Sequence, residues 1–439
     1  MKKEQNKAST NFVIKRIINE ESLGGLLLIG VIIIAVIWAN SRFFEFYHYL
    51  WHELQVGFSA GSWELKESLH YWINDGLMAL FFFTIGLEIK REVLAGELSS
   101  IKKASLPLMA ALGGMIVPAT IYAILNYNNP EYIHGWGIPM ATDIAFSLGL
   151  MALLGKRVNI NLKIFLMALA IADDLGAILV IAIFYTDSID YLELLQAAVF
   201  LIILIGANRI GVRRTTFYAV IGFAGVWLAI LYSGVHATIA GVLIAMTIPV
   251  KAKVSEISYM DRLCEITSKF EKEKPNKSSL LTKNQARLMS DIEDLTADAN
   301  TPLQKLEHAL HPVTVFFILP LFALANAGVH VEGNILNLLF HPISVGVILG
   351  LMIGKFLGIS LFSRIMVWFK LASLPEGVTW KQIYGVGFLA GIGFTMSIFI
   401  SELAFVSEEF VQIAKVGIFV ASFLSSIIGM TILGLGRKK

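Results

Sequence analysis

Apolar runs of roughly 17 to 25 residues recur through this 439-residue chain. No other property limits its fold so strongly, because a helical run of that length matches a hydrocarbon core about 30 Å thick. Lipid offers no partner to an unpaired N–H or C=O, so each run must close its hydrogen bonds within itself. Twelve runs can be marked, at 22–40, 72–94, 104–126, 133–155, 160–186, 191–208, 214–232, 233–250, 312–330, 341–363, 383–404 and 409–434. The seventh and eighth come from one stretch of 37 residues, about 55 Å as a single helix, and are divided at Tyr232-Ser233-Gly234. Hydrophobic residues make up 56% of the chain and charged residues 15%, against about 25% charged in an ordinary soluble domain. A soluble enzyme with a polar shell is excluded, as is a disordered or fibrous chain. The expected fold class is an all-α polytopic membrane protein, one membrane domain over 1–439.

The basic residues report orientation. With the connections assigned alternately to two sides, 31 Lys and Arg fall on one side and two, Arg42 and Lys66, on the other. The positive-inside rule then places both termini and the 251–311 loop in the cytoplasm. The first run lacks a small-x-small cleavage pattern, so it reads as a retained helix. A net charge of +2 gives no sign of nucleic-acid binding, and the single cysteine, Cys264, excludes an intrachain disulfide or a cysteine-based metal cluster. Segment 251–311 is polar and mixed in charge, and reads as partly helical or disordered. Segment 41–70, on the outer side, alternates around Ser59-Ala60-Gly61-Ser62. A β-hairpin and a solvated loop both fit it.

Two basic residues remain inside spans, Lys355 and Lys415. Lys415 lies about 9 Å along its helix from the outer end and could snorkel to the interface. Lys355 lies near 20 Å into the tenth span. Asp143 lies about ten residues into the fourth span, and Asp173 and Asp174 about midway along the fifth. Each costs at least about 2.5–3.5 kcal/mol at the bilayer centre, so the four must face one another or a watered cavity. An ion-pair network alone would leave net negative charge unpaired. Asp173 and Asp174, about 100° apart around a helix, cannot both point at one partner. One can meet Lys355 while the other opens to a cavity. A site that holds either a hard cation on oxygen ligands or a proton is the minimum apparatus for exchange.

The backbone adds a second signal. Gly135-Trp136-Gly137-Ile138-Pro139 in span four and Gly385-Val386-Gly387 through Gly391-Ile392-Gly393 in span eleven both look breakable. Interrupted helices at matching positions of inverted repeats, here spans 3–5 and 10–12, mark binding sites in several transporter families, the one named below among them. Glycines that only permit close helix packing would give the same letters.

With these residues in view, the chain resembles the NhaA-type sodium/proton antiporter family, from about Ile17 to Gly434. The resemblance rests on Asn74-Asp75-Gly76 continuing to Gly86-Leu87-Glu88-Ile89-Lys90-Arg91-Glu92, on Ala141-Thr142-Asp143 and on Ala170-Ile171-Ala172-Asp173-Asp174. It extends to Ser233-Gly234-Val235-His236, Leu306-Glu307-His308-Ala309-Leu310-His311-Pro312 and Gly354-Lys355. It implies that Asp174 is the main Na⁺ ligand, with Asp173 beside it pairing with Lys355, and that Thr142 and Asp143 lie where the interrupted helices cross. Asp75 would sit on the external access route, or else Asn74 and Asp75 cap a helix start. Glu88, Glu307, His308 and His311 resemble the pH-responsive region, whereas His236 reads as structural. The resemblance also implies a homodimer through the 41–70 hairpin, Na⁺, Li⁺ and H⁺ as transported partners, a bacterial inner-membrane location and no cofactor. The chain departs from the family at Phe356, where proline is expected, and in the length of the 251–311 loop.

The implied function is electrogenic, pH-regulated Na⁺/H⁺ exchange by alternating access. A sodium-coupled symporter of an organic solute is the alternative. An aspartyl intramembrane protease would need Tyr-Asp and Gly-x-Gly-Asp, and neither occurs.

Overall fold

How each apolar run begins, bends and ends decides the architecture. In the computed structural model, which describes residues 23–60, 63–186, 189–273, 280–330 and 335–435, α1 (Leu23–Ala39) turns by 120° into α2 (Phe44–Glu53). The two termini, given to the cytoplasm by the charge count, and Gly61-Ser62 lie outside the described residues. A hairpin follows, β1 (Gln55–Ala60) antiparallel to β2 (Trp63–Ser68) with Gln55 opposite Ser68 and Ala60 opposite Trp63. Then come α3 (Leu69–Ala95), α4 (Ile101–Asn126), the bent pair α5 (Pro130–Met140) and α6 (Ile144–Leu153), α7 (Ile160–Phe184), α8 (Tyr191–Ile210), α9 (Thr215–Tyr232) and α10 (Thr238–Thr247). Two polar helices, α11 (Glu256–Lys272) and α12 (Lys283–Ala299), lead to α13 (Pro302–Asn326) and the short α14 (Ile335–Leu339). The chain ends with α15 (Pro342–Trp368), the second bent pair α16 (Trp380–Leu389) and α17 (Phe394–Ala404), and α18 (Glu408–Gly434).

Eight of these helices are long and apolar enough to cross a bilayer, and up to eleven spans result if each bent pair is one, counted over the described residues. The eighth expected span is represented by α10, whose ten residues reach about 15 Å, half a hydrocarbon core. The chain between α9 and α10 turns at Gly234, whose φ of 81° is open to glycine. The described residues of 251–301 fold largely as α11 packed on α12, with Lys253 Nζ 2.6 Å from Asp298 and a Thr282/Gln285 capping box. The ninth span begins earlier than its hydropathy suggests, because Thr301 caps the helix and Pro302 occupies its first turn. Glu307, His308 and His311 therefore belong to α13 itself.

Two apolar cores share α3. One face of it (Met78, Phe82, Ile85, Ile89) packs with α4, α7, α13 and α15 to α18. The other (Ala79, Phe83, Leu87) packs with α8, α9 and α10. Outward residues such as Ile183 and Ile202 are about two-thirds exposed, as lipid-facing side chains should be. At the centre α4 and α15 touch backbone to backbone at Gly113 and Gly358, where any Cβ would collide with the facing chain.

Candidate functional site

Both bent helices break where glycine and proline are concentrated. α5 ends as a 3₁₀ segment at Met140, and Ala141-Thr142-Asp143 are non-helical before α6 starts. α16 ends at Leu389, and Ala390 to Gly393 separate it from α17. The bends are 43° and 47°. Each break frees backbone groups that lipid cannot satisfy, and the two segments satisfy each other. The Asp143 amide donates to the Ile392 carbonyl at 2.7 Å, Thr142 Oγ1 to the Ala390 carbonyl at 2.8 Å and Ser397 Oγ to the Ile138 carbonyl at 2.9 Å. Ser422 Oγ accepts from the Gly393 amide at 3.2 Å.

Asp143 faces two helix N-termini at once. Its carboxylate accepts from the Phe146 amide in the first turn of α6 at 3.0 Å, and from the Thr395 amide at 3.2 Å and hydroxyl at 2.6 Å at the start of α17. One negative charge thus answers the positive ends of two half-helix dipoles. Lys355 is fully buried, and its Nζ lies 2.6 Å from Asp173 Oδ2. The π-helical turn Gly350–Gly354 immediately precedes it, so the irregularity in this span comes from a widened turn instead of a proline. Phe356, at the departing position, stacks on Phe388 at 4.5 Å.

Asp174 points elsewhere. Together with Asp143, Glu88, Thr84, His311, Thr314 and Thr395 it lines a cavity of about 70 Å³ between α3, α6, α7, α13 and α17, which neither Asp173 nor Lys355 lines. Asp173 Oδ1 and Asp174 Oδ1 are buried without a hydrogen-bond partner. Three carboxylates and one ammonium therefore meet beside two broken helices, and the surplus charge faces the cavity. A monovalent cation or a proton bound there would neutralise it.

Of the pH-response candidates, Glu88 and His311 line this cavity, Glu307 bonds to Arg91 Nε at 2.7 Å, and His308 is exposed on α13, away from the cavity. The hub was not foreseen: Arg91 also lies 2.7 Å from Glu92 and 4.0 Å from Glu88. Its neighbour Lys90 donates to the carbonyls of Met246 and Ile248, both at 2.6 Å, closing the C-terminus of α10. Thr395 was missed as well, although it ends the glycine-rich run of span eleven. Asp75 is half-buried in a π-helical turn, Trp72–Leu77, about 13 Å along α3 from Thr84. The cap reading of Asn74-Asp75 fails because Ser68 caps this helix, accepting from the Tyr71 amide at 3.2 Å. His236 bonds to the Tyr185 carbonyl at 2.6 Å. Lys415 does not snorkel: it is 5% exposed and lies 2.8 Å from Glu402.

Comparison with known proteins gives the family. The family model described as Na+/H+ antiporter 1 matches residues 15–433. The chain is 51% identical over 414 residues to Na(+)/H(+) antiporter NhaA 1 of Psychromonas ingrahamii, covering 93% of each chain. It is 48% identical over 432 residues to Na(+)/H(+) antiporter NhaA 1 of Saccharophagus degradans, covering 97% of this chain and 92% of that one. It is 48% identical over 431 residues to Na(+)/H(+) antiporter NhaA of Helicobacter pylori, covering 98% and 96%. The symporter alternative finds no support in these relatives, all of them antiporters by name. Its length, its bent helices and its buried acids are those of a multi-pass membrane transporter, and the chain belongs to the Na⁺/H⁺ antiporter 1 family.

Proposed function

We propose that the protein is an electrogenic exchanger of a bacterial inner membrane, moving Na⁺ or Li⁺ outward against inward H⁺ by alternating access. The observation that carries this reading is Asp174, a buried carboxylate facing a small cavity beside the Asp173–Lys355 pair. At about 70 Å³ the cavity has room for an alkali cation and a few waters, since one water needs about 10–15 Å³ by this measure. An organic solute needs at least about 300 Å³.

In the cation-bound leg, carboxylate oxygens of Asp174 and Asp173 hold Na⁺, and Lys355 offsets residual charge. In the proton-bound leg, the same oxygens carry protons and the cation is expelled. Asp143 and Thr142 hold the crossing of the broken helices, so that the half-helices can shift about a fixed point and expose the site alternately. Unequal charge on the two legs makes the exchange electrogenic. The 31-to-2 distribution of basic residues supports cytoplasmic termini and a cytoplasmic α11–α12 hairpin, with β1–β2 and Asp75 towards the outside. The cavity then faces the side of Glu88, Glu307, His308 and His311, which tune activity to internal pH, with Glu88 and Glu307 joined at Arg91. The hairpin within 41–70 mediates a homodimer.

The test uses purified protein in liposomes holding a preset pH gradient. Added Na⁺ should collapse the gradient, and Asp174→Asn should abolish the response. Normal exchange by that variant would refute the site, and Na⁺-driven solute uptake without proton counterflow would restore the symporter.

A further inference from the structure

A second cavity, of about 590 Å³, lies at the opposite end of the same helices, where α2, α3, α17 and α18 meet. Three imidazoles descend into it. The rings of His48 and His52 on α2 stack at 5.0 Å, and those of His52 and His70, at the start of α3, lie 4.6 Å apart. His70 Nε2 is 4.0 Å from Glu402 Oε2, and the other carboxylate oxygen of Glu402 is held by Lys415. Below them, His70 Nε2 donates to Asn326 Oδ1 at 2.9 Å, and Asn326 Nδ2 donates to Asn74 Oδ1 at 2.9 Å. Exposure falls from His52 at the surface through His70 to Asn326 at 1%.

α3, α13 and α17 each carry the same vertical order. Beneath Asn74, Asn326 and Glu402 lie Phe82, Phe322 and Phe399, all buried, with Phe399 5.5 Å from Phe82 and 6.2 Å from Phe322. Beneath the aromatic layer lie Thr84, Thr314 and Thr395, which line the Asp174 cavity. The order of residues along these three helices thus places a cluster of phenyl rings between the histidine cavity and the cation site.

We infer that this outer cavity is a proton-collecting antechamber, with His48, His52, His70 and Glu402 as successive proton-carrying groups. The inference rests on the exchange and orientation proposed above. An imidazole takes a proton on one ring nitrogen and gives up the proton on the other, which leaves it in the opposite tautomer, and reorientation of the ring restores it for the next proton. Waters bridge the steps that exceed hydrogen-bond length, for which the cavity has room. Sodium is disfavoured there, because hard cations prefer oxygen ligands and the most buried carboxylate is already paired with Lys415. Among the described residues no three His, Cys, Asp or Glu side chains are placed to hold a metal ion. The other charged groups facing the chain are Glu408 and Glu409 on α18 and Glu53, 3.5 Å from His48. His330 also lines the cavity, stacked on Phe44. Tyr47 is excluded as a carrier, since its hydroxyl donates to the carbonyls of Leu324 and Ala325.

The test compares wild type, His70→Gln and His52→Gln, each full-length in liposomes, by two readouts on the same preparations. One is Na⁺-driven proton flux with the histidine side at alkaline pH, where protons are scarce. The other is exchange of radioactive Na⁺ for Na⁺ at equal pH, which moves no net proton. The antechamber predicts proton flux lowered about tenfold in either variant, with Na⁺/Na⁺ exchange held within about twofold. Equal loss of both rates in the two variants, or no loss in either, overturns it. His52 is exposed, so its variant remains informative if His70→Gln does not fold. Failure of wild type to exchange Na⁺ for H⁺ would instead strike the proposed function.

Discussion

Replacing Lys355 by methionine leaves Asp173 buried and unpaired, and the geometry sets the size of the loss. Lys355 is 0% and Asp173 1% exposed, they lie 2.6 Å apart, and Asp173 Oδ1 has no other hydrogen bond to fall back on. Breaking one side of such a pair costs about 3–5 kcal/mol, whereas replacing both sides by well-packed apolar groups of similar volume is close to neutral. For 439 residues an unfolding entropy of about 2.1 cal/mol/K per residue gives roughly 0.9 kcal/mol/K. Lys355→Met should therefore lower the melting temperature in detergent by about 3–5 °C, and Lys355→Met combined with Asp173→Val by less than about 1 °C. Protonation removes the stranded charge, so the loss in the single variant should shrink on acidification and grow with pH. The measurement is a double-mutant cycle read by thermal unfolding at two pH values. If the single and double variants melt alike, or if the single variant melts like wild type at alkaline pH, the pair is not energetically coupled and the reasoning fails.

Two further outcomes follow from the same site. If protons and Na⁺ compete for the Asp174 and Asp173 oxygens, the apparent Kd for Na⁺ should rise as pH falls, about tenfold per unit for one competing proton and about a hundredfold for two. Isothermal titration across pH checks this, and a flat profile would exclude competition. Thr395→Val keeps the shape of the side chain but removes the hydroxyl that bonds to Asp143 at 2.6 Å. It should cost about 1.5–3 kcal/mol, or roughly 2–3 °C by the entropy above, and an unchanged melting temperature would show that Asp143 is held by the two backbone amides alone.

Composition and periodicity alone determined that this chain crosses a membrane many times. Lipid permits little beyond helices for apolar runs of this length, and the cost of burying charge made Asp143, Asp173, Asp174 and Lys355 conspicuous before any partner was known. The glycine and proline clusters likewise pointed to breaks in spans four and eleven, where close helix packing would have used the same residues. Hydropathy could not show which of two adjacent aspartates meets Lys355, because that depends on how α7 and α15 are rotated against each other. It also misplaced Lys415, since its depth along a helix says nothing about a carboxylate on the neighbouring one. The start of α13 was hidden because capping by Thr301 outweighs the polarity of the next few residues. Arg91 as a hub, Thr395 as a donor to Asp143 and the histidine ladder above the phenyl layer join residues up to several hundred positions apart. Only the packing of α2, α3, α6, α13, α17 and α18 brings those groups together, so their chemistry was decided by tertiary structure.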